Sequence, residues 1–419
     1  MTRHEHHDIA AAVEDAHRHH WAQVLASVAR VTRDLDTAED ATQEAFAAAL
    51  EVWGRQGVPG TPAAWLTTVA RRKALDNRRR ADTLARKLPP LVVPGDDTPP
   101  DPSTIPDDRL RLIFTCCHPA LAMPARVGLT LRLVCGLTTP TIARLFLIPE
   151  ATMAARITRA KKKIRAAGIP YRVPTDPELP DRLPSVLAVV SLLFTEAHTA
   201  SAGAELGRAE LAARADDLAA TLRLLMPDEP EVLGLLAMIR LARGRSRGRV
   251  DPDGGFIPLR DHDRSQWDAA DIDEGRALAE QAVRRSANGS PGPYTLHAAI
   301  AAVHSEAPSY EATDWPQVLA LYDVLLRVQP SPVTRLARAA ARAMVDGPAT
   351  ALADIDALAG NQHLMNYYGV PATRADLLRQ LDRPTEAAAE YRRAATLTGN
   401  AVERKFLLTQ ADIMDHTTQ

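Results

Sequence analysis

Aromatic residues and lysine are scarce in this chain of 419 residues. Aromatic residues make up 4% of the sequence, while alanine, leucine and arginine are abundant. Because Ala, Leu and Arg favour helices and aromatic or β-branched residues favour strands, this composition predicts an all-α protein. Only six of the fifty basic residues are lysines, and three of these six are consecutive, at positions 161–163. Such a local concentration of lysine calls for an explanation.

Cysteines and long hydrophobic runs are also few. The three cysteines, Cys116, Cys117 and Cys135, are too sparse and odd in number for a disulfide framework, and they suit a reducing compartment. The longest apolar run, "LPSVLAVVSLLF" (183–194), is too short to span a bilayer and predicts a buried helix. The polar, histidine-rich start is not typical of a signal peptide. We therefore expect a soluble, cytoplasmic protein without a membrane partner.

The charge is divided unevenly along the chain. The net charge is −2, but residues 1–168 carry 24 basic and 18 acidic groups, whereas residues 169–419 carry 26 and 34. A basic front half favours a polyanion such as DNA as its partner. The acidic back half suggests the hypothesis that it screens the basic helices until it is released.

Proline-rich stretches divide the chain into modules. The stretch "LPPLVVPGDDTPPDPSTIPDD" (88–108) cannot form regular structure, and "GIPYRVPTDPELPDRLP" (168–184) is a second break. Near the end, Tyr322, Ile355 and Tyr391 recur at spacings of 33 and 36, close to the 34-residue tetratricopeptide (TPR) period. The predicted divisions are a helical module (9–87), a linker (88–106), a second helical module (107–168), a linker (169–184), a helical extension (185–290) and TPR-like repeats (291–415).

The lysine triplet lies in a predicted helix-turn-helix. Thr138 or Thr139 can cap a first helix, and a second helix starts near Pro149. Small residues early and cations later in the second helix suit entry into the major groove by its first turns. Leu147 occupies the turn position that glycine often fills, so the turn is either strained or built differently. The apolar stripe of the second helix comprises Met153, Ile157, Ala160 and Ile164.

Two further helices in the first module carry charge of opposite sign. "RDLDTAEDATQEAF" (33–46) is acidic, and its predicted buried stripe leaves Glu39, Asp40, Gln43 and Glu44 facing outward. "PAAWLTTVARRKALDNRRR" (62–80) is basic at its end. We predict that Trp65 packs in the core rather than stacking on bases. Predicted core residues of the two helices are Ala38, Ala41, Ala45, Phe46, Ala49 and Leu50, then Trp65, Leu66, Val69 and Leu75.

Four features follow one another along the chain: an acidic helix, a P-x-x-W-L helix that ends in basic residues, a proline-rich linker and a helix-turn-helix. In this order they resemble an extracytoplasmic-function (ECF) sigma factor of bacterial RNA polymerase. The match spans about residues 20–168. It implies that the acidic motif binds core RNA polymerase, through Asp36, Glu39, Asp40, Gln43 and Glu44. Residues 9–87 would then be sigma region 2 and residues 107–168 sigma region 4.

The resemblance also implies two DNA contacts on the promoter. Arg72 stands where asparagine is common, and Leu147 replaces the usual turn glycine. Residues implied at the −10 element are Arg71, Arg72, Lys73, Asn77, Arg78, Arg79 and Arg80. Residues implied at the −35 element are Thr152, Ala155, Arg156, Thr158, Arg159, Lys162 and Lys163.

The last 250 residues resemble the extension of one ECF subgroup that ends in a TPR-like domain. Four stretches of the whole chain resemble recurrent sequences of that subgroup: "DDRLRLIFTCCHPAL" (107–121), "PEATMAARITRAKKKIR" (149–165), "DPDGGF" (251–256) and "DHDRSQWD" (261–268). The resemblance implies regulation in cis, with Asp253, Gly254, Gly255 and Phe256 as a regulatory loop. It leaves open whether the repeats bind a protein, a peptide or a small molecule.

Candidate metal sites are weak, and we expect neither a metal nor a cofactor. Six histidines in the first twenty residues fit a solvated terminus better than a metal site, and "CCHP" (116–119) lacks a second cysteine pair for zinc. "DPDGGF" departs from a calcium loop because Gly254 is fourth rather than sixth and His262 occupies the position of the bidentate glutamate. A turn that presents Phe256 to another surface is the simpler interpretation.

Two other functions compete with this interpretation. The first is a helix-turn-helix regulator whose helical-repeat domain binds an effector, without contact to polymerase. The second is an enzyme, such as a metal hydrolase that uses the His and Asp clusters. No nucleophile–base pairing, phosphate loop or H-E-x-x-H motif supports catalysis, so we predict that the chain is not an enzyme and has no catalytic residues.

Overall fold

The described residues of the computed structural model are 3–85, 108–172, 178–286, 289–358 and 360–417, and they are almost entirely helical. This confirms the predicted all-α class. The chain forms two compact units: residues 1–143 with 149–189, and residues 144–148 with 190–419. Within the described ranges, no helix has the length and apolar character needed to cross a membrane.

Local sequence signals set the helix ends of the first unit. Asp34 accepts a hydrogen bond from the Asp36 backbone N–H at 3.1 Å and so caps the second helix. That helix stops at Gly57, whose φ of +81° suits glycine. The helices are α1 (Arg3–Thr32), α2 (Leu35–Gln56), α3 (Pro62–Ala85), α4 (Asp108–Cys116), α5 (Met123–Leu133), α6 (Thr139–Leu145), α7 (Glu150–Ala166) and α8 (Leu179–His198), the last of which runs on into the second unit.

Helices α1, α2 and α3 pack against one another around Leu25, Trp53 and Leu66, all of which are fully buried. Trp65 packs edge-on against Trp53, with ring centroids 5.6 Å apart, as expected for a core residue. Two predicted core residues are wrong: Leu50 and Leu75 are 49% and 44% exposed. Each directly follows a buried alanine, and a step of one residue turns a helix by about 100°, away from the packed seam.

Helices α4–α7 form a second cluster that also contacts α1. The Trp21 indole N–H donates to the Leu133 carbonyl at 3.2 Å, and the Tyr171 hydroxyl donates to the Ala26 carbonyl at 3.0 Å. The first unit contains α1–α5, α7 and residues 139–143 of α6. The predicted linker at 88–106 lies outside the described residues, as do residues 173–177 of the second predicted linker.

The second unit is a succession of helices, each packed on its neighbours in the chain. A short parallel pair of strands joins distant parts of it, where β1 (Ala202–Gly203) lies beside β2 (Gly399–Asn400). The buried Asn400 amide donates to two backbone carbonyls near β1, both at 2.9 Å. The helices are α9 (Ala209–Leu225), α10 (Pro230–Gly244), α11 (Ala269–Arg285), α12 (Pro293–Glu306), α13 (Trp315–Val328), α14 (Pro332–Asp346), α15 (Pro348–Asp356), α16 (Gly369–Gln380), α17 (Pro384–Leu397) and α18 (Ala401–Thr417).

The residues that suggested a repeat lie inside this unit. Ile355 and Tyr391 are buried in one apolar cluster, and Tyr322 packs against another. Helices α16 and α17 form a tight helical pair joined by a turn at Asp382. Between α10 and α11, the connecting segment contains short 3₁₀ helices at Ser246–Arg249, Leu259–Asp261 and Arg264–Gln266.

Candidate functional site: the start of helix α2 and the basic helix α7

Helices α6 and α7 form the predicted helix-turn-helix. The Thr138 hydroxyl accepts the Thr141 backbone N–H at 3.3 Å and caps α6, while Pro149 stands immediately before α7. Helix α7 is amphipathic, as expected. Its four predicted apolar residues are all buried: Met153, Ile157, Ala160 and Ile164.

The opposite face of α7 is open to solvent. Arg159 is exposed, and its guanidinium donates to the Ala155 carbonyl one turn earlier, at 3.2 Å. Arg156 is half-buried, and the other predicted −35 residues on this helix are exposed: Thr152, Ala155, Thr158, Arg159, Lys162 and Lys163. Short side chains therefore precede long cations along one exposed face.

The turn between the two helices is strained at Leu147. Its φ of +53° is left-handed, which costs an L residue with a side chain roughly 1 kcal/mol or more. Of the two alternatives left open by the sequence, the strained turn is therefore the one observed. The Leu147 side chain packs against the apolar cluster that contains Tyr391, in the same compact unit. This packing offsets part of the cost.

Only some of the α2 residues that were predicted to face outward are exposed to solvent. Asp40 and Gln43 are exposed, and Glu44 is half-buried, with its carboxylate 3.5 Å from the Lys73 ammonium. Glu39 was expected to face outward, but it is only 5% exposed. The physical reason is that Glu39 has cationic partners on α5 and α7, which allow a carboxylate to be buried.

Two cations neutralise Glu39. The Arg132 guanidinium of α5 donates from Nε to Glu39 Oε1 at 3.1 Å, and its Nη2 lies 3.0 Å from the same oxygen. The Lys161 ammonium of α7 donates to Glu39 Oε2 and lies 3.1 Å from Asp36 Oδ1. The Lys161 side chain is only 13% exposed. Removing one partner from a buried pair of this kind typically costs about 3–5 kcal/mol, which makes the cluster a strong local constraint.

Arg165 extends the cluster toward the start of α2. One of its nitrogens, Nη2, lies 2.8 Å from Asp34 Oδ1 and 2.6 Å from Asp36 Oδ2. Burial opposes ionisation of Asp34, but the hydrogen bond and charge of Arg165 outweigh it and lower the pKa of Asp34. Burial likewise lowers the pKa of Lys161, yet Glu39 and Asp36 raise it overall. The Asp34 carboxylate and the Lys161 ammonium are therefore both charged near neutral pH.

The basic helix α3 exposes only some of its predicted −10 residues to solvent. Arg72 and Lys73 are exposed and Asn77 is half-buried. Arg71 is also half-buried, and its Nη2 donates to the buried Ser27 hydroxyl at 2.5 Å, which fixes α3 to α1. The backbone of Arg78, Arg79 and Arg80 continues α3, and their side chains lie outside the described part of the structure.

The predicted regulatory loop is a tight turn closed by Asp251. The Asp251 carboxylate accepts the backbone N–H groups of Asp253 and Gly255 at 2.9 and 2.6 Å, and Gly254 adopts a φ of +78°. Phe256 packs edge-on against Phe406 of α18, with centroids 5.2 Å apart. The surface to which the turn presents Phe256 is therefore part of this chain. Asp253 is exposed.

The cysteines are buried free thiols, as the sequence predicted. The Cys117 thiol lies 3.5 Å from the Thr130 hydroxyl, and burial raises its pKa to about 12. A protonated thiol of this kind is a poor nucleophile and a poor metal ligand.

Sequence reasoning missed the partners of the acidic motif. Asp34, Arg132, Lys161 and Arg165 were not among the predicted site residues, although all four belong to the cluster described above. A signal existed for Lys161, which follows Ile157 by one helical turn and therefore borders the buried stripe. Periodicity could have placed it near the core, but not opposite Glu39.

Comparisons with known families agree with this architecture. Residues 17–83 match the model of Sigma-70 region 2, residues 111–164 match Sigma-70 region 4, and residues 182–283 match a family of unknown function, DUF6596. The ECF RNA polymerase sigma factor SigK of Mycobacterium tuberculosis (strain ATCC 25618 / H37Rv) is 31% identical over 167 residues, which is 38% of this chain and 86% of SigK. The chain belongs to the ECF RNA polymerase sigma factors.

Two further relatives show how much of the chain is similar to other proteins. SigK of Mycobacterium ulcerans (strain Agy99) is 29% identical over 154 residues, which is 35% of this chain and 80% of that protein. The uncharacterized protein R00370 of Rhizobium meliloti (strain 1021) is 40% identical over 398 residues, 93% of both chains. That relative therefore shares the long extension as well. No solved structure matches the chain significantly.

Membership in this family fixes the general function. A sigma factor carries regions 2 and 4 for transcription initiation, and its partners are core RNA polymerase and promoter DNA. The two matched regions mark a transcription factor rather than an enzyme.

Proposed function

We propose that this sigma factor binds core polymerase through the outward acidic residues of α2 and reads the −35 element with the exposed face of α7. The observation that carries the proposal is the α7 surface, where small residues precede Arg159 and Lys162 opposite a fully buried stripe. Short side chains let the helix approach base edges, and the later cations neutralise phosphates. The exposed basic residues of α3, together with Asn77, bind the −10 element.

On α2, exposure singles out Asp40 and Gln43 as the groups that polymerase meets first, and Asp40 supplies the charge. Complementary charge steers association and fixes orientation. Asp36 and Glu39 belong to the same proposed surface, although both are ion-paired within this unit.

We also propose that the extension regulates the factor in cis, through residues 253–256 and the TPR-like helices. The support is threefold: the net negative charge of the back half, the exposed Asp253 at the tip of an ordered turn, and a relative whose similarity covers 93% of the chain and therefore most of the extension. The ligand of this domain belongs to one of three chemical classes: a protein, a peptide or a small molecule.

In vitro transcription with sigma-free core polymerase tests the α2 and α7 assignments. With the wild-type chain, we expect discrete transcript starts whose promoters share −35 and −10 sequences. With Asp40→Lys, we expect transcription to fall at least tenfold. Glu51→Lys is the matched control, because it reverses an exposed charge on the same helix outside the proposed surface. Arg159→Ala/Lys162→Ala should abolish transcription while leaving polymerase binding in a pull-down intact.

The competing regulator without polymerase contact predicts a different result. In that case promoter fragments would be bound, yet neither the wild-type chain nor Glu51→Lys would support transcription. Full transcription by Asp40→Lys would instead show that polymerase binds elsewhere on the chain.

A further inference from the structure

We propose that the second unit binds the phosphate group of a small molecule, and that the guanidinium of Arg245 is the centre of this site. The Arg245 cluster comprises four side chains: Arg245, Arg264, His304 and Tyr322. The proposal names a chemical class for the ligand of the extension, and its link to regulation rests on the function proposed above. The site itself rests only on residues of the second unit.

Neighbouring elements bring the cluster together. Arg245 follows α10 directly and precedes the first short 3₁₀ helix, against which the 3₁₀ helix that begins at Arg264 packs. Helix α10 also packs on α12, which carries His304, and α12 packs on α13, which carries Tyr322. Burial first, and then the nearby charges of Arg245 and Arg264, lower the pKa of His304 to about 4. The four side chains therefore lie close together near the end of α10.

Arg245 is a half-buried cation without a counter-ion. Its guanidinium makes no hydrogen bond or ion pair with any described residue, and its nitrogens are not sealed from solvent. Burial, together with the charges of Arg249 and Arg264, lowers the pKa of Arg245 to about 10, so the group is still protonated at neutral pH. Removing a charge from water is costly unless it is paired, and all five N–H donors of Arg245 are open to a ligand.

The other arginines of α10 show the usual arrangement. Arg240 and Arg243 both form ion pairs with Asp216, at 2.9 and 2.7 Å. Arg245 lies only two residues beyond Arg243, yet it has no such partner among the described residues. The missing partner is therefore a property of this position rather than of the helix.

Neighbouring side chains add positive charge without neutralising it. Arg264 stacks on Trp267, with its guanidinium 4.6 Å from the ring centroid, and donates from Nη1 to the His304 carbonyl at 2.8 Å. Its Nη2 is sealed from solvent and has no hydrogen-bond partner in the described part of the chain. Arg249 donates to the Thr199 hydroxyl at 2.9 Å. Within the described ranges, none of the three arginines forms an ion pair, so an anion is the missing component.

The nearby carboxylate of Glu403 does not fill this role. Glu403 lies within electrostatic reach of Arg249, but its two oxygens accept hydrogen bonds from the Tyr368 and Thr398 hydroxyls. Burial also raises the pKa of Glu403, which disfavours its ionised form. The excess of positive charge around Arg245 therefore persists.

The chemistry of the cluster favours phosphate over a single carboxylate. A guanidinium fork binds phosphate oxygens bidentately. Burial raises the pKa of Tyr322 to about 12, so its hydroxyl is protonated and can donate as well. A phosphate monoester carries about −1.5 to −2 charges at pH 7 on adjacent oxygens, so one compact group can compensate both Arg245 and Arg264. Because Arg245 is half-buried, the terminal phosphate of a small molecule fits better than the backbone of a DNA duplex.

Equilibrium dialysis of the full chain against radiolabelled inorganic phosphate, at an ionic strength held constant with chloride, tests the site. We expect the wild-type chain to bind one phosphate that Arg245→Met binds at least tenfold more weakly. Arg245→Lys keeps the charge but loses the planar fork, so its affinity should fall at least threefold. Arg247→Met is the matched control and should bind as wild type does, because Arg247 is an exposed arginine two residues further along the chain.

Three results would overturn the proposal. The first is no binding by wild type, or equal binding by wild type and Arg245→Met. The second is displacement of the bound phosphate by succinate at a lower concentration than by sulfate, which would identify the ligand as a dicarboxylate. The third is displacement by excess duplex DNA, which would replace the small molecule with a nucleic acid.

Thermal unfolding separates a ligand site from a structural role. Phosphate at ten times its dissociation constant should raise the melting temperature of the wild-type second unit by about 3–6 °C, and should not raise that of Arg245→Met. In chloride, Arg245→Met should melt no lower than wild type, because the substitution removes an unpaired charge. A variant that melts lower in chloride and is still stabilised by phosphate would show that Arg245 is structural.

Transcription with core polymerase tests the link to regulation separately. We expect saturating phosphate to change wild-type transcription at least twofold relative to chloride, and to leave transcription by Arg245→Met unchanged. If phosphate binds through Arg245 but wild-type transcription does not respond, regulation through this ligand is wrong, while the binding site stands.

Discussion

Three non-glycine residues in the described part of the chain have a positive φ: Arg33, Leu147 and Asp382. Each follows closely after the end of a helix, where a left-handed residue commonly terminates the hydrogen-bond ladder. Glycine is the usual choice there because it has no Cβ. The chain tolerates the cost at Leu147, whose side chain packs on a buried apolar cluster.

Two truncations at Leu147 separate backbone strain from packing. Both Leu147→Ala and Leu147→Gly lose the side-chain packing, but only glycine relieves the left-handed strain. We therefore expect Leu147→Gly to be more stable than Leu147→Ala by about 1 kcal/mol in denaturant unfolding.

Ala47→Gly is the control for that order. It lies at an exposed position in the interior of α2, where glycine should be less stable than alanine by about 1 kcal/mol. The opposite signs at the two positions identify the left-handed backbone. Equal stability of Leu147→Ala and Leu147→Gly would show that the turn relaxes to an ordinary conformation.

At the scale of elements, the turn at 251–257 has a structural part and an exposed part. Asp251 accepts the backbone bonds that close the turn, and Phe256 packs on Phe406. Asp253 contributes a backbone N–H to this turn, while its side chain is exposed and makes no hydrogen bond or ion pair with the described residues. The regulatory role proposed for the loop therefore falls most directly on Asp253.

We expect Asp253→Ala to leave the free energy of unfolding within about 0.5 kcal/mol of wild type, because exposed substitutions rarely cost more. If the loop contacts a partner, transcription should nevertheless fall severalfold. Phe256→Ala is the comparison: it should lose roughly 1–3 kcal/mol of stability through the lost packing. Wild-type transcription by Asp253→Ala would contradict a direct regulatory contact at this residue.

For the whole molecule, pH should matter most through the second unit. Burial lowers the pKa values of His198, His262, His297 and His304 there. For His304 the pKa falls to about 4, mainly through burial and also through the nearby charges of Arg245 and Arg264. A depressed histidine pKa supplies stability that is complete above about pH 6.5 and is lost as the pH falls toward 4.

Acidification from pH 7.5 to 5.5 should therefore lower the melting temperature of the second unit by a few degrees. His304 alone accounts for roughly 1–2 kcal/mol at pH 5.5. Burial raises the pKa values of Glu196 and Glu403, which acts in the opposite sense. Comparing the acid-induced shift of wild type with that of His304→Gln isolates the histidine, and an equal shift in both proteins would refute its contribution.

The sequence by itself determined much of the element-scale description. Composition predicted the all-α class, the stripe of α7 predicted its buried face, and the order of charged motifs indicated the sigma family. These features are local or periodic, so spacing along the chain suffices to read them. The sequence also identified Leu147 as the unusual turn residue, because the absence of glycine at that position can be read from the sequence alone.

Only the tertiary structure decided which charges are free. Sequence periodicity placed Glu39 outward and Leu50 inward, and both assignments were wrong because the packed seam is set by the neighbouring helices. Nothing in residues 34–39 indicates that Arg132, Lys161 and Arg165 lie opposite them. An ion pair depends on distances of a few ångströms, and folding alone brings together residues separated by more than a hundred positions.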